Sequence, residues 1–374
     1  MYRPYRGQRA QRHRRIRNCI LVLLALLVVA GAVFLLFFQD RMVYSSDGVH
    51  FDLPWGKAGT QDDGNVDVPL DIEGGGEGQD TPPDGGAAPA PLAVSATPKL
   101  LEVPVGRLGD EAYLGQVKAL HAQGAINGVA IVVKDAAGNL AWGGTPDTLA
   151  AAVQAFQADG LPVTAVLYAY QDDARAAADE TAALHRTNGN VWRAADNTRY
   201  LDPGADAANA YLSGLVQQLS GMGFQEAVLR AYGWPAEGAG RLDRIRYGGY
   251  ADPAARSAKL AETLEALKAA AGGMELSVCI DNPTAENGFD QPSGQDLAAL
   301  TPGAARIYVP MVVQTATSGD SIRTIVGRVQ GADTAKLVPM YDSAELAASL
   351  FAGSQPVYFS PSATDGEIAA YVAP

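Results

Sequence analysis

Residues 223–235 read Gly223-Phe224-Gln225-Glu226-Ala227-Val228-Leu229-Arg230-Ala231-Tyr232-Gly233-Trp234-Pro235. A helical pattern ends at the glycines around Met222, an apolar run from Ala227 to Tyr232 follows, and Pro235 stops it. A short run of this kind reads as a strand buried on both faces, as in a parallel sheet. Its far end carries Arg230, Tyr232 and Trp234. In a parallel barrel the residues at and past the carboxyl end of each strand build the site. This strand is therefore expected to deliver a guanidinium and two aromatic rings to such a site, and no carboxylate.

The same unit repeats on either side. From Lys99 onward, β-rich runs alternate with Ala-rich helical ones. The expected strands are 101–105, 128–133, 163–168, 227–232, 275–280, 306–310, 336–340 and 356–359. The expected helices are 111–123, 148–159, 172–186, 205–220, 253–271, 295–300, 321–329 and 343–351. In 205–220, Ala208, Tyr211, Leu212, Leu215 and Leu219 recur at helical spacing. Eight such strands in about 275 residues match a (β/α)8 TIM barrel over 99–374. An open doubly wound sheet is the alternative. It calls for a Gly-rich phosphate loop after an early strand, and neither G-x-G-x-x-G nor a P-loop occurs.

Ahead of the barrel the composition changes three times. Residues 1–18 carry seven arginines and no acid. Cys19 to Phe38 is an unbroken apolar run of twenty residues, long enough to span a bilayer as one helix. The preceding arginines put the N-terminus in the cytoplasm and the rest of the chain outside it. A cleaved signal peptide is the competing reading, against which stand the length of the run and the bulky residues from Phe34 to Phe38. Residues 39–57 alternate enough to form a hairpin around Ser46-Asp47-Gly48. Residues 58–98 collapse into Gly, Pro, Asp and Ala, a flexible, disordered linker too polar to bury a core.

The whole chain has a formal charge of −13, and removing the seven N-terminal cations leaves −20 for the remainder. That argues against a nucleic-acid partner, which needs a basic face. His13, His50, His121 and His185 are scattered and no Cys-x-x-Cys occurs, so no metal or other cofactor is expected. Cys19 and Cys279 read as two separate thiols.

On the barrel reading, acids and aromatics converge on one face. Asp135 follows the second strand, Tyr170 and Asp172 the third, Asp281 the fifth, and Tyr341 with Asp342 the seventh. Glycoside hydrolysis needs two carboxylates, one to protonate the leaving oxygen and one to attack or to activate water. Asp281 and Asp135 are the catalytic candidates. Arg230, Tyr232, Trp234, Tyr170, Trp192, Tyr341 and Asp342 are the substrate-binding candidates, the aromatics offering flat faces to sugar rings. Each acid also has a plainer reading, because an Asp after a strand serves as a helix N-cap or a turn residue.

Five segments carry a resemblance: I-N-G-V-A-I-V-V-K-D-A-A-G-N-L from Ile126, V-W-R-A-A-D-N-T-R-Y-L-D-P-G from Val191, 223–235, M-E-L-S-V-C-I-D-N from Met274 and R-I-Y-V-P-M from Arg306. In order and spacing they resemble a bacterial family of glycoside hydrolases with a TIM-barrel domain, often membrane-anchored. In that family the fourth strand usually reads like G-F-D-E-I-Q-F-D-Y-I-R-F-P. Aligned without gaps, its second Asp falls on Arg230 and its Arg on Gly233. Asp135 matches the family's acid after the second strand, and Asp281 lies near its acid after the fifth. The resemblance implies a membrane-anchored, extracytoplasmic protein acting on polysaccharide or peptidoglycan. Arg230, which can neither accept a proton nor attack a sugar, leaves open a non-catalytic barrel that binds a polysaccharide or a protein partner.

Overall fold

The computed structural model describes residues 42–45, 48–51, 92–143, 146–236, 238–311, 336–341, 356–361, 363, 366 and 368. The chain divides into two units, residues 1–85 and 86–374. In the first, β1 (Met42–Ser45) and β2 (Gly48–Phe51) pair antiparallel, Ser45 opposite Gly48. Among the described residues no helix is long and apolar enough to cross a membrane. The apolar run 19–38 and the expected helices 321–329 and 343–351 lie outside the described residues.

The second unit is a closed barrel of eight parallel strands. They are β3 (Lys99–Glu102), β4 (Gly128–Lys134), β5 (Val163–Tyr168), β6 (Glu226–Arg230), β7 (Glu275–Cys279), β8 (Ile307–Met311), β9 (Leu337–Tyr341) and β10 (Val357–Phe359). Each pairs with its sequence neighbour, and β10 closes the ring onto β3. Parallel pairing forces a crossover after each strand. Among the described residues these include α1 (Glu111–Ala122), α2 (Pro146–Ala158), α4 (Asp206–Gly221) and α5 (Pro253–Ala270).

Side-chain parity sorts the strand residues into two layers. Leu100, Ala130, Val166, Val228, Cys279, Tyr308, Val338 and Tyr358 fill the barrel interior. The residues between them, such as Leu101, Ile131, Ala165, Leu229 and Val278, pack outward with the helices in a separate cluster. Continuous apolar strands are what two buried faces demand.

At the amino ends of the strands the interior turns polar. Glu226, fully buried, accepts hydrogen bonds from Thr164 Oγ1 (3.1 Å), Ser277 Oγ (2.5 Å), Tyr308 OH (2.9 Å) and Arg306 Nη1 (3.1 Å). Arg306 also meets Glu275 at 2.5 Å and donates to the Val94 and Ser95 carbonyls. Every oxygen of this buried carboxylate is thus satisfied, which makes burying it tolerable.

The helix expected over 172–186 is shorter. α3 runs only from Asp173 to Ala178. The Asp179 side chain accepts from Thr181 N and Oγ1, forming a local turn that competes with helix. The chain from Ala183 to Leu201 then folds into a loop held by the bridges Ala183–Leu201, His185–Val191 and Arg193–Arg199. A helix not expected from the sequence, α6 (Asn282–Asn287), follows β7; Asp281 caps it and Gly288, at φ 80°, ends it. The expected helix 295–300 shortens to α7 (Leu297–Leu300).

Candidate functional site

On β6, Glu226, Val228 and Arg230 share one parity, so Arg230 points inward at the carboxyl end. The next residue, Ala231, has φ 46°. That left-handed conformation costs a residue with a Cβ roughly 1–2 kcal/mol. It turns the chain sharply, and Tyr232 packs outward while Arg230 stays in the mouth. Gln295 holds the turn, donating to the Tyr232 carbonyl (3.1 Å) while its Oε1 accepts from Asp281 N (2.8 Å). The ends of β6 and β7 are thereby tied together.

The mouth encloses a cavity of about 230 Å³, walled by Tyr168, Gln171, Tyr200, Arg230, Trp234 and Asp281, with Cys279 and Gln295 among its other neighbours. The Arg230 guanidinium carbon lies 5.0 Å from the centre of the Tyr168 ring, within cation–π range. Among the described residues no carboxylate comes within 4 Å of its nitrogens. Burial works to lower its pKa, and the groups around it, Cys279, Tyr168, Tyr358 and Glu102, outweigh that and hold it raised.

Asp281 is half-buried in the cavity wall. Its Oδ1 accepts from Thr284 N (2.9 Å), so it caps α6 and faces the cavity at once. Burial raises its pKa, and the Thr284 and Ser293 hydrogen bonds only partly offset this. A carboxyl with that tendency holds its proton to higher pH than a free aspartate. The Cys279 thiol is pushed up to about 11 by burial, despite the neighbouring Arg230. It stays protonated near neutral pH and is a poor nucleophile.

Asp135 is placed differently. It sits in the turn after β4, where its carboxylate accepts from Ala137 N, Asn139 N and Asn139 Nδ2, each at 2.9 Å. Burial pushes its pKa up a little, and these hydrogen bonds more than offset that, so it stays low. The turn packs on Gly138, at φ 89°, where a Cβ would come within 2.0 Å of Asp172 Oδ1. Asp172 caps α3 and pairs with Lys134 at 2.9 Å, both side chains fully buried.

The aromatics also divide. Trp234 lines the cavity and stacks at 5.5 Å on Tyr250. Tyr170, Tyr232 and Trp192 are fully buried and do not line it. Their polar ends are bound elsewhere: Tyr170 OH to Asn209 Oδ1, Tyr232 OH to the Leu260 carbonyl, and Trp192 Nε1 to the Arg241 carbonyl. Tyr341 ends β9, and Asp342 lies outside the described residues.

Several residues at the mouth were not among the sequence candidates, three of them bearing on its chemistry. Tyr168 and Tyr200 line the cavity. Glu102 ends β3 with its Oε2 accepting from Tyr358 OH at 2.5 Å, and its charge acts on Arg230. In the ring of eight, β3 and β7 stand four places apart, so Glu102 and Asp281 rise from opposite sides of the mouth. Strand parity was the available signal, because Glu102 and Leu100 share the inward face of β3. Among the described residues no cluster of His, Cys, Asp and Glu is arranged to hold a metal.

No family model and no curated protein matches this sequence. Solved structures are similar to it. A β-galactosidase from the psychrophilic Marinomonas ef1 superposes with a TM-score of 0.50 at 9% identity, over 73% of this chain and 58% of that one. An α-galactosidase from Thermus thermophilus gives 0.46 at 14% identity, over 76% and 63%. The glycoside hydrolase domain of PelA from Pseudomonas aeruginosa gives 0.43 at 15% identity, over 73% and 96%. The chain thus spans less than two thirds of either galactosidase. At 9% identity the likeness to the Marinomonas enzyme is one of fold alone.

Proposed function

We propose that this chain acts on glycans at the carboxyl-end mouth of its barrel, held to the cell membrane by residues 19–38 with the barrel on the extracytoplasmic side. The observation that carries the reading is the cavity itself. It lies where parallel barrels place their chemistry, it is walled by Tyr168, Tyr200 and Trp234, and it holds Asp281 and Arg230. Flat aromatic walls with a few polar groups suit a sugar ring.

For hydrolysis, Asp281 is the proton donor, because burial raises its pKa and a general acid must hold a proton near working pH. Glu102, oriented by the Tyr358 hydroxyl on the far side of the mouth, is the second carboxylate that two-carboxylate hydrolysis requires. Asp135, whose oxygens serve its own turn, is left a structural part. One observation favours the second reading, a glycan-binding barrel without turnover: Arg230 stands where the resembling family carries an acid.

The full-length protein, purified in detergent, tests both. Turnover of aryl glycosides or cell-wall glycans that Asp281→Asn and Glu102→Gln each abolish supports the hydrolase. Glycan binding without turnover, unchanged by those substitutions, supports the binder. A protein that binds no glycan at all refutes the proposal.

A further inference from the structure

The cavity wall contains a cation that no described carboxylate pairs with directly. Arg230 is half-buried, its guanidinium is 5.0 Å from the Tyr168 ring centre, and no described carboxylate lies within 4 Å of it. Three other buried cations of the barrel have partners: Lys134 pairs with Asp172, Arg306 with Glu226 and Glu275, and Arg256 with the carbonyls of Tyr250, Ala251 and Gln291. Desolvating a guanidinium is expensive unless something pairs with it. Arg230 also forms part of the cavity wall, so whatever enters the cavity meets it.

The geometry points to a ligand that brings its own carboxylate: a glycan containing uronic acid or another carboxylated sugar, with the carboxylate bound by Arg230 and the ring against Tyr168 and Tyr200. This rests on the glycan reading above and names its substrate class. Three features select a monoanion on a single ring. A guanidinium presents a planar fork that matches a carboxylate in two parallel hydrogen bonds. The cavity, about 230 Å³, is smaller than the roughly 300–1,000 Å³ of pockets that enclose drug-sized ligands, so it takes one ring-sized unit. Asp281 in the wall and the charge of Glu102 acting on Arg230 from across the mouth leave the mouth with too little positive charge to favour a phosphate dianion.

The test is calorimetric, on the full-length protein, with five probes: oligogalacturonate, oligoglucuronate, the methyl ester of each at equal length, and galactose 1-phosphate. One acid should bind at least ten-fold tighter than its ester, and Arg230→Gln should reduce that acid to the level of the ester. Arg230→Lys should keep part of the preference, and a thermal melt of each variant shows whether it is folded. Acid and ester binding equally overturns this inference and leaves the glycan reading standing. So does a sugar phosphate that binds tighter than the free acid. Failure of every probe, together with failure of neutral glycans, overturns both.

Discussion

Glu226→Leu and Glu226→Gln separate what holds the barrel together from what it does. Glu226 receives four hydrogen bonds with no exposed surface. Leucine fills most of the space but leaves Tyr308 OH without its acceptor and Arg306 with Glu275, which is about half exposed, as its one remaining described carboxylate. Removing one partner of a buried ion pair costs about 3–5 kcal/mol. In a domain of this size each kcal/mol moves the midpoint by about 2–4 °C, so Glu226→Leu should melt about 10 °C below the native protein. Glutamine is milder. Its oxygen can stay with Arg306 and Ser277 while its amide turns to the Thr164 and Tyr308 hydroxyls, which can accept. Only the charge is lost, worth about 1.5–3 kcal/mol for a hydrogen bond to a charged group. Denaturation followed by the fluorescence of buried Trp192 and Trp234 reads both variants. Glycan binding measured below the transition should be unchanged in both, because the network lies at the amino ends of the strands and the cavity at the carboxyl ends. A Glu226→Leu protein within about 1 kcal/mol of native, a fraction of the cost expected for a broken buried pair, would show that the network is not holding the strands. So would a glutamine variant as damaged as the leucine one.

Three further outcomes follow from the same geometry. Burial raises the Asp281 pKa above its unfolded value, so its contribution to stability falls as pH rises from the unfolded pKa through the folded one; Asp281→Asn should be more stable than native above that window and little changed below it, while losing any turnover, and parallel urea titrations at about pH 3 and pH 7 check this. The Cys279 thiol, pushed up to about 11 by burial, should resist iodoacetamide at pH 8 until the protein is unfolded, as peptide mapping would show. Lys134 and Asp172 form a fully buried pair at 2.9 Å, so Lys134→Met alone should cost about 3–5 kcal/mol, with the double change Lys134→Met, Asp172→Asn recovering a substantial part, read as a double-mutant cycle in urea.

The barrel was legible because its physics is local and repetitive. The strand expected over 163–168 is β5 (Val163–Tyr168), and the one over 275–280 differs from β7 (Glu275–Cys279) by one residue. The site was less legible, because it depends on parity and on where the backbone turns. Tyr168 and Tyr170 are two residues apart, yet Tyr168 faces the cavity and Tyr170 reaches across to Asn209, because β5 ends between them. Tyr232 follows Arg230 at the same spacing but lies beyond the φ 46° turn at Ala231, which breaks the alternation. Glu102 looked like one polar residue inside an apolar run; only the closure of β10 onto β3, which places Tyr358 beside it, gives it a place at the mouth.

The same parity argument links the two charges of β6. Glu226 and Arg230 lie on one face of one strand, separated by Val228. A strand rises about 3.3 Å per residue, so the two charges start about 13 Å apart along the barrel. Val166, Cys279 and Tyr308 fill the interior around Val228. At the lower end four donors converge on the acid; at the upper end, among the described residues, no carboxylate comes within 4 Å of the base. One strand thus carries a charge satisfied inside the fold and, at its other end, one that no described carboxylate pairs with, where a ligand can enter.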